Sequence, residues 1–299
     1  MRSCRIARSL EIAACVAFVA GVAWLGAGWS GGETRAAARD AQTNPDRRQT
    51  GKVPVLVELF TAEGCSSCPP ADALLGVLDR QQPIPNARII VLSEHVDYWN
   101  EGGWRDRFSS PEITERQKGY GDFFRLDDVY TPQMVVNGAV QLNGTDAKGI
   151  RAALIHAADG HPLPLQIASV QIRGKEVTFT LRNGMPATPK EVNVYAALVD
   201  PEDTTQVSAG ENRGRTLRHF GVVRVLERVG GSSRTQSLGE KPFVFKGDVP
   251  GKASLDGMRL VVFAQAKNLG PVVGADQCLI TGTAAKADGG VGPCPVSGG

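Results

Sequence analysis

Residues 53–93 constrain the fold more than any other stretch. "VPVLVELF" (53–60) is an apolar, β-rich run of strand length, and "ARIIVLS" (87–93) is a second one. Between them, "ADALLGVLDRQQ" (71–82) sets Leu74, Leu75 and Leu78 at helical spacing, and Pro69 and Pro70 suit a helix's first turn. Strand, helix and strand in this order predict a β-α-β unit. At its first strand-to-helix junction stands "TAEGCSSCPPAD" (61–72), which carries Cys65 and Cys68.

A long stretch without strand character follows, 95–130, with a helix expected in "SPEITERQKGYGDFF". "TPQMVVNGAVQLNG" (131–144) reads as two short strands joined by Asn137-Gly138, a strong hairpin signal. "TDAKGIRAALIHAAD" (145–159) reads as a capped helix with Ile150, Ala153, Leu154 and Ala157 on one face. Residues 53–160 thus form an α/β domain with an insertion. From "GHPLPLQ" (160–166) the pattern changes to several β-like runs punctuated by Gly, Asn and Pro. This predicts a second, β-sandwich-like domain over 161–282, then a flexible tail, 283–299.

The N-terminus reads as a targeting segment. Arg2, Arg5 and Arg8 precede the uncharged apolar run 12–29, and "RAAARD" (35–40) offers a small-residue cleavage site after Ala38. Residues 1–38 are read as a signal peptide or, because the run is near the lower length limit for a span, as a membrane anchor. A polar linker, 39–52, follows. The whole chain has 33 basic and 31 acidic residues; without residues 1–38, 29 of each remain. No polybasic face is left to attract nucleic acid, so that partner class is set aside. A membrane partner is expected only if the segment stays uncleaved, and the location is otherwise periplasmic or secreted.

Cys65, Cys68, Cys278 and Cys294 remain in the mature chain, an even number that suits an exported protein with disulfides. Cys278–Cys294 is a plausible tether for the tail. For the CxxC pair, the chemistry is set by thiolate character. A helix N-terminus favours the thiolate through unpaired N–H groups and the helix dipole. Cys65, expected to be the more exposed, is assigned as nucleophile and Cys68 as resolving thiol. Three other readings stay open. One is a structural disulfide, and another a soft-metal site for Cu(I) on Cys65, Cys68 and His95. The last is a binding protein on an inert scaffold. A tetrahedral protein zinc site is not expected, because no second CxxC is present. No metal and no cofactor is expected.

"FTAEGCSSCP" (60–69) resembles the active-site stretch of thioredoxins, and "YTPQMVVNG" (130–138) resembles the segment around their cis-proline. The resemblance implies a thioredoxin-like fold, a cis Pro132 packing against the disulfide, and Thr131 offering its backbone to a substrate. Over roughly residues 53–280 the chain resembles an uncharacterised family of exported bacterial thioredoxin-like proteins, a domain of unknown function. "HVDYWNEGGWRDRFSS", "TERQKGY" and "GENRGRTLRHFGVVR" carry that likeness. It implies a thiol or disulfide substrate, protein or small molecule, and a redox partner, neither of them specified. The buried Asp of thioredoxins is replaced by Leu59, and Glu58 beside it points to the opposite face of its strand.

Trp99 and Trp104 are expected either to rim the disulfide or to anchor the insertion by packing, and His95 is a candidate substrate contact beside Trp99. Arg116 and Gln117 are read as solvated or capping residues, and His156, His161 and His219 as ordinary. The polar half of "GENRGRTLRHFGVVR" (210–224) is read as an ordered loop that docks against the CxxC domain.

Overall fold

Strand β1 (Val53–Thr61) is buried on both faces because helices cover both. Val55, Val57 and Leu59 pack with helices α1 (Pro69–Gln81) and α3 (Ala147–Ala158). Leu56 and Phe60, on the opposite face, pack with Ile113 and Tyr120 of helix α2 (Pro111–Phe124). Local signals start each later helix. Ser110 caps α2 by accepting from the Ile113 N–H at 3.3 Å, with Pro111 next. Asp146 caps α3 by accepting from the Gly149 N–H at 2.9 Å. Strand β2 (Ala87–His95) runs parallel to β1. Strands β3 (Gln133–Val136) and β4 (Val140–Asn143) form the expected hairpin, where Asn137 and Gly138 both take positive φ.

The computed structural model describes residues 51–182, 191–232, 241–281 and 291–295. The expected targeting segment, nearly all of the linker and most of the tail lie outside the described residues. The described residues fall within one unit, Asn44–Gly299. It is a mixed α/β structure built on one eight-stranded sheet, in the order β11-β10-β7-β8-β2-β1-β3-β4. Here β7 is Val192–Gln206, β8 Thr216–Ser232, β10 Arg259–Ala266 and β11 Val272–Leu279.

The two expected domains therefore share a sheet. β8 continues it from β2 through the parallel pair Ser93↔Val222, and the other strands of the second half follow antiparallel. At this seam Gly221 has φ +66, and a Cβ there would lie 2.7 Å from Val91 Cγ2 and 2.8 Å from the Val91 carbonyl oxygen. Only glycine permits that approach. Two ion pairs reinforce the junction. Arg259 in β10 holds Asp79 of α1 at 2.7 Å, buried, and Arg88 in β2 holds Asp276 of β11 at 2.8 Å. A second sheet, β5 (Ile167–Arg173), β6 (Glu176–Leu181) and β9 (Phe243–Lys246), has three strands. It packs Val177, Phe179 and Phe245 against Val194, Ala196 and Leu260 of the large sheet. Ala197, Val199 and Val261, alternating with these, face the α2 side.

Candidate functional site

Cys65 and Cys68 are joined by a disulfide where β1 ends and α1 begins. Cys68 is the N-cap residue, and Pro69 and Pro70 supply the helix's first two positions. Neither proline has an N–H, and the next two, of Ala71 and Asp72, already donate to the Cys68 carbonyl. The expected store of unpaired donors is thus depleted. Cys65 is also no more exposed than Cys68, since both are 0% accessible. Phe60, Val96, Ile113 and Tyr120 belong to the same core cluster as the sulfurs. Among the described residues, Ser67 Oγ lies 3.4 Å from Cys65 Sγ.

The backbone of the CxxC loop is held from far along the chain. The turn between β7 and β8 lies over the CxxC loop, as "GENRGRTLRHFGVVR" was expected to do. Its tip is exposed except for Asn212, which is fully buried. The Asn212 amide donates to the carbonyls of Glu63 and Cys65, each at 2.9 Å. The Glu211 carboxylate accepts from the Ser66 N–H at 3.2 Å. Gly210 sits against Trp104. Beside this cap a shallow cleft of about 390 Å³ is lined by Ser66, Pro69, Pro70, Arg215, Thr216 and Leu217.

Thr131 and Pro132 lead into β3, and the peptide bond between them is cis. Pro132 lies close to the start of α1: a Cβ on Gly144 would stand 2.9 Å from Ala71 Cβ and 3.0 Å from Pro132 Cβ. Trp99 links this segment to the CxxC loop. Its indole N–H donates to Thr131 Oγ1 at 2.7 Å, while its backbone and Cβ press against Gly64. Trp104 donates to Glu63 Oε2 at 2.7 Å. Both tryptophans, each partly buried, therefore anchor the insertion beside the cysteines.

His95 does not present itself to a substrate; it is 1% exposed. Its Nδ1 pairs with Asp106 at 2.6 Å, and its ring meets that of His219 edge-on at 4.8 Å. His219 was read as ordinary and is central. Its Nε2 lies 3.5 Å from Glu63 Oε1 and its Nδ1 lies 3.9 Å from Asp72 Oδ2. Burial alone would lower the His95 pKa, but the Asp106 carboxylate, with Asp72 and Glu63, raises it. Burial pushes Asp106 up, and His95 with the N–H groups of Glu63 and Phe108 brings it below the usual range. Burial raises Asp72, more than His219 and His95 lower it. Among the described residues, no group of His, Cys, Asp and Glu is arranged to hold a metal ion.

The profile of a family described as "Protein of unknown function (DUF1223)" matches residues 56–265. The chain belongs to the DUF1223 family. The crystal structure of protein AGR_C_4864 from Agrobacterium tumefaciens is similar to this DUF1223 protein, at 29% identity and a TM-score of 0.59. The alignment covers 79% of this chain and 99% of that one. A second solved structure, OgpA from Akkermansia muciniphila, aligns over 40% of this chain at 13% identity, with a TM-score of 0.19 too low to bear on the fold. Curated proteins yield no match.

The DUF1223 core also holds a polar network that was misread from sequence. Arg116 and Gln117 are buried, not solvated. Arg116 donates to Glu58 through Nε at 2.7 Å and through Nη2, and Tyr120 donates to the same carboxylate at 2.6 Å. Gln265 of β10 bonds both Arg116 and Tyr120. Glu94 lies 3.6 Å from Arg116, and burial and the Glu58 charge hold its pKa well above the usual range. Gln117 donates to the Tyr130 carbonyl at 2.8 Å, supporting the segment before Thr131. A second disulfide joins Cys278 to Cys294, and the Cys294 N–H donates to the Leu279 carbonyl at 2.7 Å. No helix among the described residues is long and apolar enough to cross a membrane.

Proposed function

We propose that this protein is an exported thiol–disulfide oxidoreductase on a thioredoxin-like fold, in which access to the couple is gated by the β7–β8 turn. The carrying observation is the bonded Cys65–Cys68 pair at the β1–α1 junction, in a loop whose backbone is held by the Glu211 and Asn212 side chains of the β7–β8 turn. Those contacts fall on the Ser66 N–H and on the Glu63 and Cys65 carbonyls, so withdrawing the turn frees the loop on the Cys65 side of the disulfide. In the reduced protein the Cys65 thiolate attacks a substrate disulfide, and a mixed disulfide forms as one substrate thiolate leaves. Cys68 then attacks Cys65 Sγ, closing the protein disulfide and releasing the second thiolate, so that two electrons pass to the substrate. Thr131 and Trp99 border the entry.

The test is reduction of the folded protein by dithiothreitol, followed by free-thiol titration and by turnover of a model disulfide. The wild type is expected to cycle, Cys65→Ser to be inactive, and Asn212→Ala to be reduced several-fold faster. A disulfide that yields only when the protein unfolds would overturn the reading. It would favour a non-catalytic scaffold, the alternative supported by the zero exposure of both cysteines.

A further inference from the structure

The Glu211 carboxylate accepts from the N–H of Ser66, a residue that stands between the two cysteines. Hydrogen bonds from the Ser66 hydroxyl and N–H hold the Glu211 carboxyl below its usual range. The CxxC loop thus offers donors that take a carboxylate, and here the chain supplies its own. The contact is exposed, so its net strength is small and another carboxylate can replace it. Beside it lies a cation. Arg215 lines the shallow cleft together with Ser66, which directly follows Cys65, and Pro69, which directly follows Cys68. Two bonds fix its place: its carbonyl accepts from the Val207 N–H at 3.0 Å, and its guanidinium donates to Asn212 Oδ1 at 2.8 Å. Among the described residues no carboxylate pairs with Arg215, or with Arg213 in the same turn. The acids of neighbouring β7 are already engaged, Asp203 by Arg107 and Glu202 by Arg218.

We propose that Ser66 and Arg215 form a carboxylate-binding site beside the Cys65–Cys68 couple, that Glu211 fills the Ser66 half of it in the resting protein, and that the substrate is a small disulfide whose own carboxylate takes that place. This rests on the oxidoreductase reading and names its substrate class. Glu211 reaches Ser66 without pairing with Arg215, whereas a carboxylate lying in the cleft has both residues in its walls. A guanidinium presents several donors in a planar fork that matches a carboxylate, and only one nitrogen of Arg215 is taken by Asn212. The cleft, about 390 Å³, is of the size that holds a small molecule and not a folded chain. Displacing Glu211 also removes one of the two side chains that hold the β7–β8 turn on the CxxC loop, leaving Asn212. Substrate binding and withdrawal of the turn are coupled in this way. The redox step is the exchange already described; the site only selects and places the disulfide.

Two measurements test this. In the first, glutarate is titrated into the oxidised protein while the Ser66 amide resonance is followed, with chloride at equal ionic strength as control. The resonance should shift in the wild type. Glu211→Gln should saturate at several-fold lower glutarate, and Arg215→Gln should need about tenfold more. A Ser66 resonance that does not move, or titrations that both substitutions leave unaltered, overturn the proposal. The second measures how fast the reduced protein loses its free thiols to dithiodipropionate, which carries two carboxylates, to neutral hydroxyethyl disulfide and to cationic cystamine. The dianion should react several-fold faster than the other two. That preference should shrink at high salt and in Arg215→Gln, and Arg215→Lys should recover part of it. Equal rates for all three, or a preference that Arg215→Gln leaves intact, overturn the substrate assignment. A folded, reduced wild type that none of the three oxidises overturns the oxidoreductase reading itself. The glutarate titration involves no thiol chemistry and decides the binding site independently of that outcome.

Discussion

Arg116 ties several elements of the interior together. Its guanidinium bonds Glu58 and Gln265 and lies over the Tyr120, Tyr195 and Phe263 rings at 5.2 to 5.5 Å. Two buried carboxylates depend on that one cation. Arg116→Met preserves bulk and removes the charge, leaving Glu58 paired only with Tyr120. Removing one partner of a buried pair costs about 3–5 kcal/mol, and a urea titration should show a loss of that size. A variant as stable as wild type would mean that the Arg116–Glu58 pair adds no net stability. At this scale the sequence was least legible. Ile113, Arg116, Gln117 and Tyr120 share the buried face of α2 at helical spacing, but a periodicity reading assigns polar residues outward. His219 could have been found. It stands two positions after Leu217, and alternation along a strand puts both on the inner face.

Between elements, the seam of β2 and β8 is the most demanding contact. Their pairing is limited to Ser93↔Val222, and Gly221 brings the backbones together there at a positive φ. In Gly221→Ala the new methyl would meet the Val91 carbonyl as well as its side chain. The backbone must shift, and the expected loss is about 1–3 kcal/mol, visible as a lower urea midpoint. An unchanged midpoint would show that the seam is loose. The apolar runs of β1, α1 and β2, the Asn137-Gly138 turn and the caps of α2 and α3 were readable because each is a local pattern. The joining of the two halves was not. It depends on a glycine approach and on the pairs Asp79–Arg259 and Arg88–Asp276, which span long sequence separations and leave no periodic trace.

For the whole molecule, the buried titrating groups set how stability follows pH. His95 has a raised pKa, so its contribution is complete below the unfolded value of 6.5 and is lost as pH rises through the folded one. Asp106 is lowered, so its contribution is present above 3.8 and is lost as pH falls. Asp72 and Glu94 are raised, so each adds a penalty that grows as pH climbs past the unfolded values of 3.8 and 4.5. Three of the four groups thus disfavour alkaline conditions. The urea midpoint should be higher at pH 5 than at pH 8; the reverse order would mean that the buried acids do not titrate as described.

The cap over the CxxC loop also imposes an order on biogenesis. Cys65 and Cys68 are synthesised long before Glu211 and Asn212, 145 residues separating Ser66 from Glu211. Until the later segment emerges and folds back, the CxxC loop lacks its contacts with Glu211 and Asn212. Cys65 and Cys68 can close with each other while Cys278 and Cys294 do not yet exist, which keeps the second pair's sulfurs out of the first bond.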